Sequence, residues 1–180
     1  MVALKTSHLV LVSFKANDAA EVARLAGDRR VVEMTASIPY PYPESLAVDW
    51  IRSHEQQREN GNYIFAIRSN ENDKLMGCVN LAINKKHDSG HIGYWMGYEF
   101  WNQGYCSEAV KEILRFGFED KKLNKVWAPH LTVNVASGRV MEKNGMIHEG
   151  IQRQHFKRDG KYFDLSIKSI LASDYFAIAP

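Results

Sequence analysis

The chain has 180 residues, 45% of them hydrophobic and 24% charged, with 23 Lys and Arg against 21 Asp and Glu. That is enough apolar material for one core in one domain over 1–180, and the near balance of charge excludes a strong field for nucleic acid or a membrane surface. No apolar run is long enough for a bilayer, no signal-type N-terminus is seen, and Cys78 and Cys106 are too few for a disulfide framework, so a cytoplasmic protein with reduced thiols is expected.

From the N-terminus, Leu9 to Phe14 reads as a strand, and Asn17 or Asp18 can cap a helix carrying Ala19, Val22, Ala23 and Leu25 to about Ala26, with Gly27 closing it. Three of the five prolines fall in Pro39-Tyr40-Pro41-Tyr42-Pro43, where fixed φ angles favour an extended path, either a substrate-facing loop or a rigid connector. Ser45 can cap the next helix, on which Leu46, Trp50, Ile51 and His54 share a face, and Asn60-Gly61 should end it. Tyr63 to Arg68 and Leu75 to Asn84 are β-rich runs joined by a polar turn, which reads as a hairpin.

A second polar turn, Lys85 to Gly90, leads into the strand-like run Gly90 to Met96. Trp101-Asn102-Gln103-Gly104-Tyr105-Cys106-Ser107-Glu108-Ala109 then opens a long amphipathic helix with Ala109, Val110, Ile113, Leu114, Gly117 and Phe118 toward a core. A helix start leaves several N–H groups unpaired and adds partial positive charge, and Gly104 lets a bulky phosphate come close to the backbone. The turn therefore suits an anion of pyrophosphate type. Lys125 to Leu131 reads as a strand parallel to its predecessor, because a helix crosses between them. Asn134 can cap a last helix through Val140 and Met141 that stops at Asn144-Gly145, and Ile147 to Lys157 with Tyr162 to Leu171 form a closing hairpin around Arg158-Asp159-Gly160. The predicted class is α/β, a mixed sheet of about seven strands flanked by about four helices.

Gly93-Tyr94-Trp95, Phe100 through Ala109, Asn134-Val135-Ala136-Ser137, Arg139-Val140, Glu142-Lys143, Gly145 and Arg158 through Tyr162 with Asp164 occur in an order and at separations that resemble the GNAT superfamily of acyl-CoA N-acyltransferases, and within it the RimJ/RimL branch. The resemblance implies acetyl-CoA as cosubstrate, no metal, an amine acceptor, and an assembly that can be a homodimer. It implies that Trp101, Asn102, Gln103, Gly104, Tyr105, Cys106 and Ser107 wrap the CoA pyrophosphate, that the strand ending at Met96 pairs with pantetheine, and that Asn134 and Ser137 lie near the pantetheine arm and the thioester sulfur. Three positions depart from the pattern: Cys106 stands in place of glycine or alanine, Met141 in place of a tyrosine that protonates the thiolate, and Met146 in place of phenylalanine.

Acetyl transfer to an amine needs a neutral amine, a stabilised oxyanion and a proton for the leaving thiolate. His91 shares a strand face with Gly93 and Trp95 and is the first candidate base, with Glu33 and His155 in reserve. With no tyrosine at 141, Ser137 is the candidate partner of the thiolate, and a backbone N–H near Met96 the oxyanion donor by resemblance. Gly138 inside a helix either admits the cofactor or has no role. His87, Asp88 and His91 lack a further ligand at metal-type spacing. The leading expectation is acetylation of a protein N-terminal α-amine of the ribosomal-protein kind. A small-molecule amine (polyamine, aminoglycoside or amino sugar) is the alternative acceptor, and a CoA-binding sensor the alternative of another class.

Overall fold

The computed structural model describes residues 2–178. In chain order it contains β1 (Leu4–Lys5), β2 (Leu9–Val12), α1 (Ala19–Ala26), α2 (Arg29–Glu33), α3 (Glu44–Arg52), α4 (His54–Glu59), β3 (Asn62–Ser69), β4 (Leu75–Asn84) and β5 (Ser89–Met96). After these come α5 (Tyr105–Arg115), β6 (Lys125–Leu131), α6 (Val135–Lys143), β7 (Ile147–Arg158), β8 (Lys161–Leu171) and α7 (Ala172–Ile178). One sheet runs β1-β2-β3-β4-β5-β6-β8-β7, antiparallel throughout except for the parallel pair β5–β6 around the α5 crossover. The hairpins, the crossover and the closing β7–β8 hairpin follow the sequence expectation.

Strand alternation divides the core between the two faces of the sheet. Phe65, Ile67, Val79, Leu81 and Ile92 pack with Ala109, Val110, Ile113 and Leu114 of α5. Ala66, set between Phe65 and Ile67, faces the other way, into a cluster with Val22 and Leu25 of α1 and Ala47 of α3, against which Trp95 also packs. Below that layer Arg68 and Asp18 form a buried ion pair.

Several local expectations are corrected. Asp18 does not cap α1: its carboxylate turns back to the Lys15 N–H at 2.7 Å and to Arg68. Ser45 lies inside α3, whose N-cap is Pro43, and Leu46 is 41% exposed while Ala47 takes the buried position. The single helix expected up to Asn60 is two, α3 and α4, because the Ser53 hydroxyl bonds back to Trp50 O at 2.7 Å where the break falls. Short α2, capped by Asp28, and α7 have no counterpart in the expected four helices, nor two-residue β1 in the expected seven strands.

The break places His54 edge-on to Trp50, at 4.3 Å between ring centroids, and against Phe14 at 5.4 Å, with Nε2 buried and unpartnered. Burial pushes its pKa down from 6.5 to about 4. The folded state thus disfavours the proton that the unfolded chain accepts, so stability is full above about pH 6.5 and falls as pH drops toward about 4. On the order of 2–3 kcal/mol is expected to be lost across that window. Urea unfolding at pH 7 and pH 4 should show a loss smaller by that amount in His54→Leu than in the parent; equal losses would contradict the assignment.

Where β5 meets β6 the sheet opens. Only Ser89↔Lys125, Gly90↔Val126 and His91↔Trp127 are paired, after which the two strands diverge. Pro129 explains why. Lys125 N–H bonds toward Asp88 on the β5 side and Thr132 N–H toward Asp164 on the β8 side, so alternation turns the nitrogen of residue 129 toward β5. Proline has no hydrogen there, and the β5–β6 ladder cannot continue past it.

Candidate active site

The opening is the centre of a cleft of about 1000 Å³ that is lined from both faces of the sheet. On the α5 face, Asn102 at φ 60° and Gly104 at φ 87° turn the chain into α5. Trp101 Nε1 donates to Met96 O at 2.7 Å and Gln103 Nε2 to Glu99 O at 2.9 Å, so both side chains brace this turn. Among the described residues no hydrogen bond engages the N–H groups of residues 102 to 107, and no side chain caps the helix. A Cβ placed on Gly104 would meet nothing within 4 Å. The first-turn carboxylate of Glu108, which would repel an anion, is bound instead to Thr6 and His8. Six free amides, a helix dipole and open space above a glycine fit a diphosphate.

Of the residues expected at this cradle, Trp101, Asn102, Gly104, Cys106 and Ser107 line the cleft, as do Met96, Asn134 and Ser137. The side chains of Gln103 and Tyr105 do not, and Tyr105 packs toward the core and His8, so both can contribute only through backbone. Cys106 is half-buried, and burial pushes its thiol up to about 12, which leaves it unreactive near neutral pH. Arg139 and Lys143, one turn apart on α6, add positive charge; the sequence reading used them only as motif matches.

Asn134 caps α6 by accepting the Ser137 N–H at 3.0 Å, and its Nδ2 donates to Met34 O at 2.8 Å. Ser137 Oγ lies 2.9 Å from the Tyr94 hydroxyl, which also reaches Ser137 O at 3.1 Å. Burial pushes Tyr94 well above the ordinary tyrosine value, so it is a neutral hydroxyl at any working pH. In the sequence Tyr94 belongs to a motif without a role of its own; strand parity, which sends it to the face opposite His91, Gly93 and Trp95, is the signal that points to one. Met141, at the position of the family's tyrosine, is buried in the core. The same parity, with Gly97 N–H bonded to Met76 O, turns the N–H groups of Tyr94 and Met96 away from β4 and into the opening.

His91 is the last β5 residue paired to β6 and stands at the vertex of the opening, its ring 4.5 Å from that of Trp127. Burial lowers its pKa, leaving a neutral imidazole. The reserve bases are not brought in: Glu33 pairs with Arg29 on the surface, and His155 is exposed on β7. His130, which sequence reasoning passed over, lines the cleft with Nδ1 at 2.9 Å from Leu131 O. A Cβ on Gly138 would fall 3.0 Å from its ring, so this helical glycine makes room for His130. On the opposite face the walls are Tyr42, Trp50, Trp95, Gln57, Asn62 and Asn80, and Pro39 with Tyr42 makes the proline-rich segment a cleft-bordering loop. Arg158, at the β7–β8 turn, donates to Glu33 O and Thr35 O at the end of α2, just ahead of that loop. Among the described residues that line the cleft there is no carboxylate.

A sheet split beside an uncapped helix start is the architecture of an acyl-CoA-dependent acyltransferase. An acetyltransferase (GNAT) domain model matches residues 8–147. The uncharacterized N-acetyltransferase YoaA of Bacillus subtilis is 31% identical over 108 residues, 59% of this chain and 61% of that protein, so this match spans less than two thirds of its length. The uncharacterized N-acetyltransferase p20 of Bacillus licheniformis is 27% identical over 97% of this chain and 99% of its own. The fold is also that of RimL, a ribosomal-protein α-N-acetyltransferase solved with coenzyme A (TM-score 0.85, 15% identity, 94% and 98% of the two chains). Spermidine N-acetyltransferase from Vibrio cholerae, solved with CoA and spermine, has the same fold (TM-score 0.83, 22% identity, 95% and 99%). The chain belongs to the GNAT acetyltransferase family and is an acetyl-CoA-dependent N-acetyltransferase.

Proposed function

We propose that the chain acetylates a protein N-terminal α-amine, in the manner of the RimJ/RimL branch, and that it does so in the cytoplasm. The observation that carries this reading is the acceptor side of the cleft, walled by aromatics and neutral amides with no carboxylate among the described lining residues. A polyamine or aminoglycoside brings two or more positive charges, and burying the second against these aromatics and amides without a counter-ion is costly. A peptide N-terminus brings one charge, which it sheds to react: its reference pKa near 8 lies about two and a half units below that of lysine.

In this reading the amides of residues 102 to 107 hold the diphosphate of acetyl-CoA, with Arg139 and Lys143 at the rim. The bound thioester supplies the acetyl group. Tyr94 N–H, turned into the opening next to Gly93, faces the developing oxyanion, Ser137 donates a hydrogen bond toward the sulfur, the Tyr94 hydroxyl holds Ser137 in place, and His91 takes the proton from the amine. The amine nitrogen bonds to the acetyl carbon, the carbon–sulfur bond breaks, and the thiolate takes up from solvent one proton in place of the one that His91 receives from the amine and returns to solvent. No metal is required for any of these steps.

A mass-shift screen with N-terminally free peptides, spermine and an aminoglycoside tests the acceptor: peptide α-amines should gain an acetyl group far faster than either polycation, and the reverse order would reject the reading. His91 is tested by pH. Because burial lowers its pKa, the base form persists below the ordinary histidine value of 6.5, and kcat at saturating peptide, from which the ionisation of the free amine drops out, should fall only on the acid side of that value. His91→Ala should lower kcat on the order of a hundredfold and abolish this acid limb, with acetyl-CoA binding retained. An acid limb that survives in His91→Ala rejects the base.

A further inference from the structure

On the acceptor face, four side chains form a hydrogen-bonded line from the α3–α4 junction to β4. Ser53 Oγ donates its one proton to Trp50 O at 2.7 Å, so toward Gln57 Nε2, also at 2.7 Å, it can only accept. Gln57 then presents Oε1, which takes Asn62 Nδ2 at 2.7 Å; Asn62 in turn presents Oδ1, which takes Asn80 Nδ2 at 3.0 Å. Each primary amide has one carbonyl end and one amino end, so the serine at the start dictates what emerges at the finish. What emerges is a carbonyl. No donor among the described residues reaches Asn80 Oδ1, and the aligned dipoles behind it reinforce its negative end.

The oxygen is aimed across the sheet. Asn80 and Gly93 are register partners, and a Cβ at 93 would stand only 2.8 Å from Asn80 Oδ1, so glycine there is what lets the oxygen lie over β5. Gly93 precedes Tyr94, which holds Ser137, and Asn80, Gly93 and His91 all line the cleft. On a face with no lining carboxylate among the described residues, this is an acceptor of fixed orientation beside the candidate base.

We propose that Asn80 Oδ1 is the docking point of the acceptor amine, taking one of its N–H groups, and that Gln57 and Asn62 are positioning residues that keep the carbonyl end outward. This rests on the N-acetyltransferase reading and names the group that recognises the nucleophile. A carbonyl suits the task better than a carboxylate. It orients the nitrogen by accepting one hydrogen, yet it does not hold the ammonium form as a negative charge would, so the lone pair stays available. The site therefore selects a primary amine that reaches it neutral.

The test is steady-state acetyl transfer by the full chain to an alanine-led peptide with a free α-amine, with acetyl-CoA varied separately. Asn80→Ala should raise the peptide KM about tenfold, the scale of one hydrogen bond at a desolvated site, and move the acetyl-CoA KM by less than about twofold. Asn80→Asp keeps the shape and reads out even where the alanine variant folds poorly: its charge retains the proton on the bound amine, so the pH of half-maximal kcat should rise by about one unit. An unchanged peptide KM in Asn80→Ala, or an unmoved pH profile in Asn80→Asp, overturns the proposal. Wild-type protein that acetylates no amine at all would sink the underlying function instead, a distinct result.

Discussion

Gly104→Val is expected to weaken coenzyme A binding by about a hundredfold or more while the fold survives. At φ 87° a β-branched residue costs on the order of 1–2 kcal/mol, which in a chain of this length lowers Tm by only a few degrees. The larger effect falls on the ligand. Because a Cβ at 104 meets no protein atom within 4 Å, the volume it would fill lies over the unbonded amides of residues 102 to 107. A phosphate kept off those amides forfeits several charge-assisted hydrogen bonds, each worth roughly 1.5–3 kcal/mol, and two such losses already exceed a hundredfold. Calorimetric titration beside a thermal melt separates the two effects. An affinity within about threefold of the parent would show that the diphosphate lies elsewhere.

Ser137→Ala is expected to lower kcat on the order of a hundredfold with little change in the KM for acetyl-CoA. The hydroxyl is worth most where charge develops on sulfur, so its loss should appear in the chemical step. The backbone N–H of residue 137 still caps α6 through Asn134, so the helix start keeps its geometry. Tyr94→Phe removes the hydroxyl at 2.9 Å that fixes the Ser137 rotamer and should give a smaller fall in the same direction. In the double variant the effects should not multiply, because Tyr94 acts through Ser137. A kcat unchanged in Ser137→Ala removes that residue from the reaction.

The parts of the fold carried by local pattern were readable from the chain. Ala109, Val110, Ile113, Leu114 and Phe118 repeat at helical spacing and are buried together under the sheet, and Asn134 is a cap in both sequence and structure. Asp18 misled because its carboxylate had a stronger option than the helix start, the guanidinium of Arg68, fifty residues away. Leu46 misled because a short helical stripe does not fix which of two neighbouring faces, about 100° apart, meets the core, and it is the face of Ala47 that does. The site was legible only as far as it is backbone: glycine at a strand-to-helix turn signals the amide cradle, whereas the Tyr94–Ser137 contact joins positions 43 residues apart and depends on strand parity. The amide line needs three elements to be placed before it exists, and Pro129 opens the sheet only because of the side its nitrogen faces.

Acetyl transfer in this cleft depends on the start of α5 gripping the diphosphate of an acyl-CoA. Titrating the protein in a calorimeter with coenzyme A and, separately, with pantetheine, which has the same thiol arm and no phosphate, tests it most directly. Saturable binding of coenzyme A, with pantetheine weaker by about a hundredfold, is the expected result. Equal affinities for the two, or no heat from coenzyme A, would contradict it.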